Sequence, residues 1–229
     1  MTPYPRDEEA PLDGSRFTAA VVALACFAAI GIPSADAAPG TVLTVLAHSS
    51  FSASKEVIAA FEAASGATVR FVEGGDAGET LGKAILSRGN PLADVVFGID
   101  NTFLGRALGA DILEPLNLAL PATIPATLRL DPSGRLAPVD VGYVCLNADR
   151  AWFARHAIAL PTTLADLALP AYKGLLVVED PAASSPGLAF LLATIARFGE
   201  TGARTWQAYW RDLRANDVLV AASWSDAYY

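Results

Sequence analysis

Apolar residues along this chain follow two alternating patterns. Short continuous apolar runs predict strands, and stretches in which apolar residues recur every three or four positions predict helices. Because strands and helices alternate, the chain is predicted to have an α/β fold with parallel sheets. The predicted strands lie at residues 41–47, 68–72, 93–101, 139–147, 174–181 and 217–221. The predicted helices lie at about residues 54–65, 186–198 and 201–214, and through Leu81, Ile85, Leu104, Leu108 and Leu164.

The strand predicted at residues 93–101 reads ADVVFGIDN and has a polar end. Its apolar run suits a strand that is buried on both faces of a parallel sheet. Ligands of open α/β sheets bind beyond the carboxyl ends of such strands. Asp100 and Asn101 are therefore candidate contacts for a small, polar, cationic ligand. They could equally cap the helix that follows.

A second polar group lies between a predicted strand end and a helix start, at Ser184-Ser185-Pro186-Gly187. Backbone N–H groups, the helix dipole and serine hydroxyls make such a position a pocket for an anion. The alternative is an ordinary helix cap with proline in the first turn.

Aromatic residues close to Asp226 form a third candidate group. Trp224, with Tyr228 and Tyr229, could stack on a flat cationic ring, which the carboxylate would neutralise. The alternative is that they are core aromatics at the end of a strand.

Composition narrows the class of protein. The chain has 229 residues, a net charge of -8 and a pI near 4.7, which argues against nucleic acid as a partner. Residues 17–32 form an apolar stretch between Arg16 and Ala35-x-Ala37. This arrangement is typical of a secretory signal peptide, here residues 1–38, and the apolar stretch is short for a membrane span. An uncleaved membrane anchor is the alternative.

Reactive side chains are scarce after the predicted signal peptide. Cys145 has no cysteine left to pair with, and its apolar neighbours predict a buried thiol. His48 and His156 are too far apart in sequence to suggest a metal motif. Asp76, among Gly74, Gly75 and Gly78, is interpreted only as part of a turn. Without a nucleophile elbow, a phosphate loop or a nicotinamide motif, we expect no enzyme activity and no cofactor.

Several segments, taken in order, resemble the thiamine-binding periplasmic proteins of bacterial ABC importers, which are type II solute-binding proteins. They are VLTVLAHSSF, ADVVFGIDN, VDVGYVCLNADR, EDPAASSPGLAFLL, TWQAYW and SWSDAYY. The resemblance implies a periplasmic-binding-protein-like fold with two α/β lobes, residues 39–138 and 139–229, that close on a ligand. It also implies a periplasmic monomer that delivers thiamine or its phosphate ester to a permease with its own ATPase.

In the first lobe, the resemblance assigns Asp100 and Asn101 to the wall of the cleft. Tyr143, with Asp140, would lie where the family's hinge strand passes the cleft. The family's first strand commonly ends Tyr-Asp-Ser-Phe, whereas this chain has HSSF at residues 48–51. His48 and Ser50 are therefore included as ligand contacts, since an imidazole can still stack on a ring.

In the second lobe, the resemblance implies contacts to both ends of the ligand. Ser184, Ser185 and Gly187 would hold a hydroxyl or phosphate tail at the helix start. The aromatic rings of the ligand would contact Trp224, Asp226 and Tyr228.

Two alternative functions stay open. Members of the family continue past the segment SWSDAYY, so we expect a C-terminally truncated chain whose second lobe lacks its return crossing. A non-functional remnant is therefore one alternative. The other is ferric-iron binding, because related importers use a tyrosine pair with a histidine, which Tyr228-Tyr229 and His48 superficially match. In that family, however, the pair follows a later strand.

Overall fold

The computed structural model describes residues 40–228. The predicted signal peptide, residues 1–38, and the last residue, Tyr229, lie outside the described part of the chain. Within residues 40–228, no helix has the length and apolar character needed to cross a membrane.

The first sheet has three parallel strands in the order β2-β1-β3. Its strands are β1 (Val42–His48), β2 (Thr68–Gly75) and β3 (Val95–Phe97). The central strand β1 pairs Val45 with Phe71 of β2 on one side and with Val95 of β3 on the other. The helices that follow these strands are α1 (Lys55–Ser65), α2 (Ala77–Leu86) and α3 (Leu104–Gly109).

Helix α1 begins and ends where its local sequence predicts. The Ser54 hydroxyl accepts the Val57 N–H at 3.3 Å, which is an N-cap contact. Gly66 ends the helix in the left-handed region, with φ of 72°, and its N–H donates to Glu62 O. The apolar stripe is less buried than its pattern suggests, because Phe61 is 48% exposed.

The second sheet pairs two parallel strands, β4 (Val177–Glu179) and β5 (Leu219–Ala221). Around it lie the helices α4 (Arg150–Arg155), α5 (Ser185–Phe198), α6 (Trp206–Ala215) and α7 (Trp224–Tyr228). Short 3-10 turns lie at Ala126–Leu128, Asp166–Ala168 and Pro170–Tyr172. Helix α4, capped by Asp149, was not predicted.

Each sheet has its own apolar core, and α5 touches both. The first core contains Ala77, Leu81, Phe103 and Ala107, and Leu188 of α5 packs against it. The second core is built from Leu167, Tyr209 and Leu213, with Phe190 of α5 packed against it. The two sheets agree with two α/β lobes, while the boundary at residues 138 and 139 stays a prediction.

The prediction of a strand at residues 139–147 is wrong. The segment has no regular secondary structure, Tyr143 is 92% exposed, and Cys145 is exposed instead of buried. An apolar run becomes a strand only when a neighbouring strand satisfies its backbone groups. Within the described residues, β4 pairs with β5 and no strand pairs with this segment.

The strand at residues 93–101 is shorter and less buried than predicted. Only Val95–Phe97 are paired, and Val95 is 42% exposed. The reason is its place in the sheet order, because within residues 40–228 β3 has a neighbouring strand only on the β1 side. The run of apolar residues therefore marks an edge strand instead of a central one.

Replacing Tyr209 tests the second core. The Tyr209 ring is fully buried and its hydroxyl donates to Leu164 O. We expect Tyr209→Phe to lower the free energy of unfolding at pH 8 by about 1–2 kcal/mol, because the Leu164 carbonyl loses its donor. Urea unfolding of both proteins measures the difference.

The same pair of proteins gives a prediction on pH. Burial raises the pKa of Tyr209 to about 12, with the Arg204 guanidinium acting in the opposite direction. An unfolded tyrosine ionises near pH 10, so its stabilising effect is complete below that pH and is lost as pH rises through 12. Wild type should therefore lose more stability than Tyr209→Phe between pH 8 and pH 11. Equal losses would contradict the assignment.

Candidate functional site

The carboxyl ends of the first sheet's strands meet at one edge. His48 of β1 lies opposite Gly75 of β2, and Ala47 lies opposite Phe97 of β3. Gly98, directly after β3, has φ of +106°, and a Cβ there would lie 2.4 Å from His48 Cβ. Glycine is therefore required at position 98, because the segment after β3 approaches the end of β1 too closely for a side chain.

Asp100 joins two of the predicted site groups. Its Oδ1 accepts both the N–H and the hydroxyl of Thr102 at 2.6 Å, and its Oδ2 accepts the Ser185 hydroxyl, 85 residues away. Helix α3 begins only at Leu104, so Asp100 forms an Asx turn and does not cap the helix. The neighbouring Asn101 is exposed.

The start of α5 packs tightly against the end of β4. Ser184 is buried, accepts the Gly187 N–H at 3.4 Å, and donates its hydroxyl to the Glu179 carboxylate. A Cβ at Gly187 would lie 2.4 Å from the Glu179 carbonyl oxygen. The hydroxyls of Ser184 and Ser185 thus both donate to carboxylates. The predicted anion pocket therefore has its hydroxyl donors already engaged.

Helix α7 presents two stacked rings at the surface. The rings of Trp224 and Tyr228 lie 4.8 Å apart at 14°, and the residues are 42% and 60% exposed. This exposure argues against core aromatics. Asp226 belongs to the cap of the helix, because its N–H donates to Ser223 Oγ at 3.1 Å and its Oδ2 accepts the Ser223 hydroxyl at 2.8 Å.

His48 and Ser50 form a local pair, and His48 also lines a cavity. The Ser50 N–H donates to His48 Nδ1 at 3.0 Å, and the Ser50 hydroxyl lies 2.8 Å from the same nitrogen. A backbone N–H can only donate, so Nδ1 is the acceptor and the neutral ring carries its proton on Nε2. The cavity, of about 420 Å³, is lined partly by His48, Phe51, Phe71 and Glu73.

Tyr143 is not brought into this group by any described contact. It belongs to the exposed irregular segment, as does Asp140. The residues after it, Val144, Cys145 and Leu146, line a separate cavity of about 260 Å³ against β4 and α5. The assignment of Tyr143 to the cleft stays a prediction.

Asp76 joins the candidate groups, although the sequence did not single it out as a candidate. Asp76 Oδ2 accepts the Trp224 N–H at 3.1 Å, and Oδ1 accepts the Ser49 hydroxyl at 3.5 Å. Nearby, the Gly78 N–H donates to Ala183 O at 2.7 Å. The available signal was an aspartate between a strand end and a helix start, the same pattern that singled out Asp100. Its glycine neighbours suggested only a turn.

Three carboxylates of this region have neutral hydrogen-bond donors as partners. The donors are the Trp224 N–H to Asp76, the Ser185 hydroxyl to Asp100 and the Ser184 hydroxyl to Glu179. Among residues 40–228, the ion pairs are Arg135–Asp111, Lys173–Asp217 and Arg204–Asp212, none of which includes these carboxylates. No group of three or more His, Cys, Asp or Glu residues in that range is placed to hold a metal ion.

The structure has two parallel α/β units that contact each other at the carboxyl ends of their strands. This arrangement is typical of the periplasmic-binding-protein type of fold. The profile of the bacterial extracellular solute-binding proteins matches residues 90–225, and the chain belongs to this family. The fold predicted from the sequence is thus confirmed. The chain is also similar to a solved periplasmic thiamin-binding protein, with a TM-score of 0.61 and 24% identity over 82% of this chain and 57% of that one.

Curated relatives extend the comparison. The thiamine-binding periplasmic protein of Salmonella typhimurium is 30% identical over 192 residues, which cover 82% of this chain and 55% of the relative. Its Escherichia coli counterpart is 29% identical with the same coverage. A putative 2-aminoethylphosphonate-binding periplasmic protein of Salmonella typhimurium is 29% identical over 72% of this chain and 45% of the relative. The chain thus spans about half the length of the curated relatives it matches.

Two glycine substitutions test the close packing at the start of α5. We expect Gly187→Ala to lower the free energy of unfolding by about 1–3 kcal/mol, because the new methyl group meets backbone. Gly82→Ala in α2 is the matched control, since a Cβ there meets nothing within 4 Å. The control should be more stable than wild type by about 0.5–1 kcal/mol. Equal stabilities of the two variants in urea unfolding would contradict the described contact.

Proposed function

We propose that this chain is the solute-binding component of an ABC importer. In this role it captures thiamine in the periplasm and hands it to a permease with its own ATPase. The carrying observation is the hydrogen bond between Ser185 and Asp100, which brings together two site groups 85 residues apart. The exposed Trp224–Tyr228 pair adds a stacking surface. The names of the relatives from Salmonella and Escherichia support the same ligand.

Thiamine has the chemistry that these side chains recognise. Its thiazolium ring is a permanent cation, and carboxylates such as Asp100 attract it most strongly where water is partly excluded. Its two flat aromatic rings match a pair of exposed aromatic side chains, over which a cation is further stabilised. No step of bond making or breaking is needed, so the proposed role is capture and delivery without catalysis.

The unphosphorylated form is the preferred ligand in this proposal. The hydroxyls of Ser184 and Ser185 donate to Glu179 and Asp100. A phosphate at the start of α5 would have to displace these carboxylates and would be repelled by their charge. A neutral hydroxyethyl tail carries no such penalty.

A thermal-shift series tests the ligand. At a thiamine concentration 100 times Kd, mass action adds about 2.7 kcal/mol to stability, which raises Tm by about 5–10 °C for a chain of this size. Thiamine monophosphate should give a smaller rise, and 2-aminoethylphosphonate and ferric citrate should give none. A rise with ferric citrate but not with thiamine or its monophosphate would overturn the proposal.

Replacing Asp100 by asparagine tests the role of its charge. The amide keeps the size of the side chain. Its oxygen can still accept from Thr102 while its NH2 group donates to the Ser185 hydroxyl oxygen, so we expect little change in stability. We expect the Kd for thiamine, measured by calorimetry, to rise about tenfold, because the charged partner of the thiazolium is lost.

The matched control for this variant is Asp111→Asn. It removes the same charge from a carboxylate that is 89% exposed and pairs with Arg135. The Kd for thiamine should stay within a factor of about two, as expected for a screened surface charge. If both variants weaken binding equally, Asp100 acts only through net charge and has no place in the site.

A further inference from the structure

Asp76 stands where an aspartate ordinarily caps its own helix. It precedes α2, yet its side chain makes no cap hydrogen bond, although an aspartate at this position usually accepts an N–H of the first turn. The Gly78 N–H of that turn donates across the lobes to Ala183 O instead. Asp76 is only 7% exposed. A buried carboxylate that leaves its own helix uncapped must be satisfied by another element.

That element is α7, 148 residues further along the chain. Asp76 Oδ2 accepts the Trp224 N–H at 3.1 Å. The first N–H groups of a helix have no partner inside the helix, so Asp76 supplies the partner of the first residue of α7. Ser223 supplies a second contact by accepting the Asp226 N–H at 3.1 Å. The start of α7 is therefore held both by its own cap and by a carboxylate of the first lobe.

We propose that Asp76 is a positioning residue that holds the Trp224–Tyr228 pair at the edge of the first sheet, where Asp100 also lies. The proposal rests on the proposed function, since it assigns Asp76 a role in ligand affinity that acts through the aromatic pair. The carboxylate itself is buried and bonded to backbone and to Ser49. Asp76 thus affects the ligand through geometry, whereas Asp100 affects it through charge.

Two variants of Asp76 separate positioning from direct attraction of a cation. Asparagine keeps an oxygen that can accept the Trp224 N–H but removes the charge, and alanine removes both. We expect Asp76→Ala to raise the Kd for thiamine about tenfold and Asp76→Asn to stay within a factor of about two. If Asp76→Asn weakens binding as much as Asp76→Ala, Asp76 acts through charge and the proposal is overturned.

A readout without ligand follows the indole directly. The four tryptophans are labelled with 5-fluorotryptophan, and the fluorine signals of Trp224 and Trp152 are assigned from their Trp→Phe variants. Asp76→Ala should shift or broaden the Trp224 signal of the ligand-free protein, and Asp76→Asn should leave it close to wild type. An unchanged Trp224 signal in Asp76→Ala overturns the proposal whether or not thiamine binds.

Asp149→Ala is the matched control. Asp149 is also an aspartate before a helix, but it caps that helix itself by accepting the Trp152 N–H at 2.9 Å. Its loss should move the fluorine signal of Trp152 and leave both the Trp224 signal and the thiamine Kd unchanged. A Trp224 signal that moves in both alanine variants reports general loosening of the fold and overturns a specific role for Asp76.

Hydrogen exchange keeps the proposal testable if Asp76→Ala does not fold. The first amide of a helix is normally open to water, and we expect the Trp224 amide of wild type to be protected because Asp76 accepts it. We expect it to exchange at least tenfold more slowly than the Ser225 amide, the next along α7. Equal exchange of the two amides overturns the proposal. Failure of wild type to bind thiamine, with the fluorine and exchange results as expected, refutes the proposed function alone.

Discussion

Hydrogen bonds from the second lobe to carboxylates at the strand ends of the first sheet determine how this molecule is put together. Parallel strands end side by side, so the residues that follow them share one edge of the sheet. At that edge, Asp76 accepts from the Trp224 backbone and Asp100 accepts from the Ser185 hydroxyl. The start of α5 and the start of α7 are thereby fixed against the first sheet. These two contacts tie the serines at the start of α5 and the aromatic pair of α7 to the edge of the first sheet.

Close backbone approach makes those contacts geometrically possible. A side chain at Gly78 would meet the carbonyl oxygen of Ala182 at 2.3 Å, and one at Gly187 would meet that of Glu179 at 2.4 Å. Both glycines are helical, where glycine costs about 0.5–1 kcal/mol relative to alanine. The chain accepts that cost at the points where helices of the two lobes contact neighbouring backbone. Gly82, by contrast, has open space around it, so no close contact requires glycine at that position.

Local signals in the sequence predicted much of the fold, because their causes are local. Ser54 and Gly66 bound α1 through contacts within the same helix, and Asp100 was found because it directly follows an apolar run. Features that depend on distant partners were missed. The segment around Tyr143 has the pattern of a strand but no described strand beside it, so its pattern alone was insufficient. The sequence around Asp76 indicates only a turn, because the partner of its side chain, Trp224, lies 148 residues away.

The same contacts bear on how related cleft walls can differ in ligand preference. Relatives of this chain are named for thiamine and for 2-aminoethylphosphonate. Thiamine carries a permanent cation, whereas 2-aminoethylphosphonate carries a phosphonate anion beside its amino group. A helix start with free serine hydroxyls suits an anion. Here the hydroxyls of Ser184 and Ser185 donate to Glu179 and Asp100. The helix start is therefore flanked by carboxylate oxygens, which can accept hydrogen bonds but cannot donate them. Whether such a helix start favours an anion or a cation is therefore decided less by the serines than by the acidic residues at the carboxyl ends of β3 and β4.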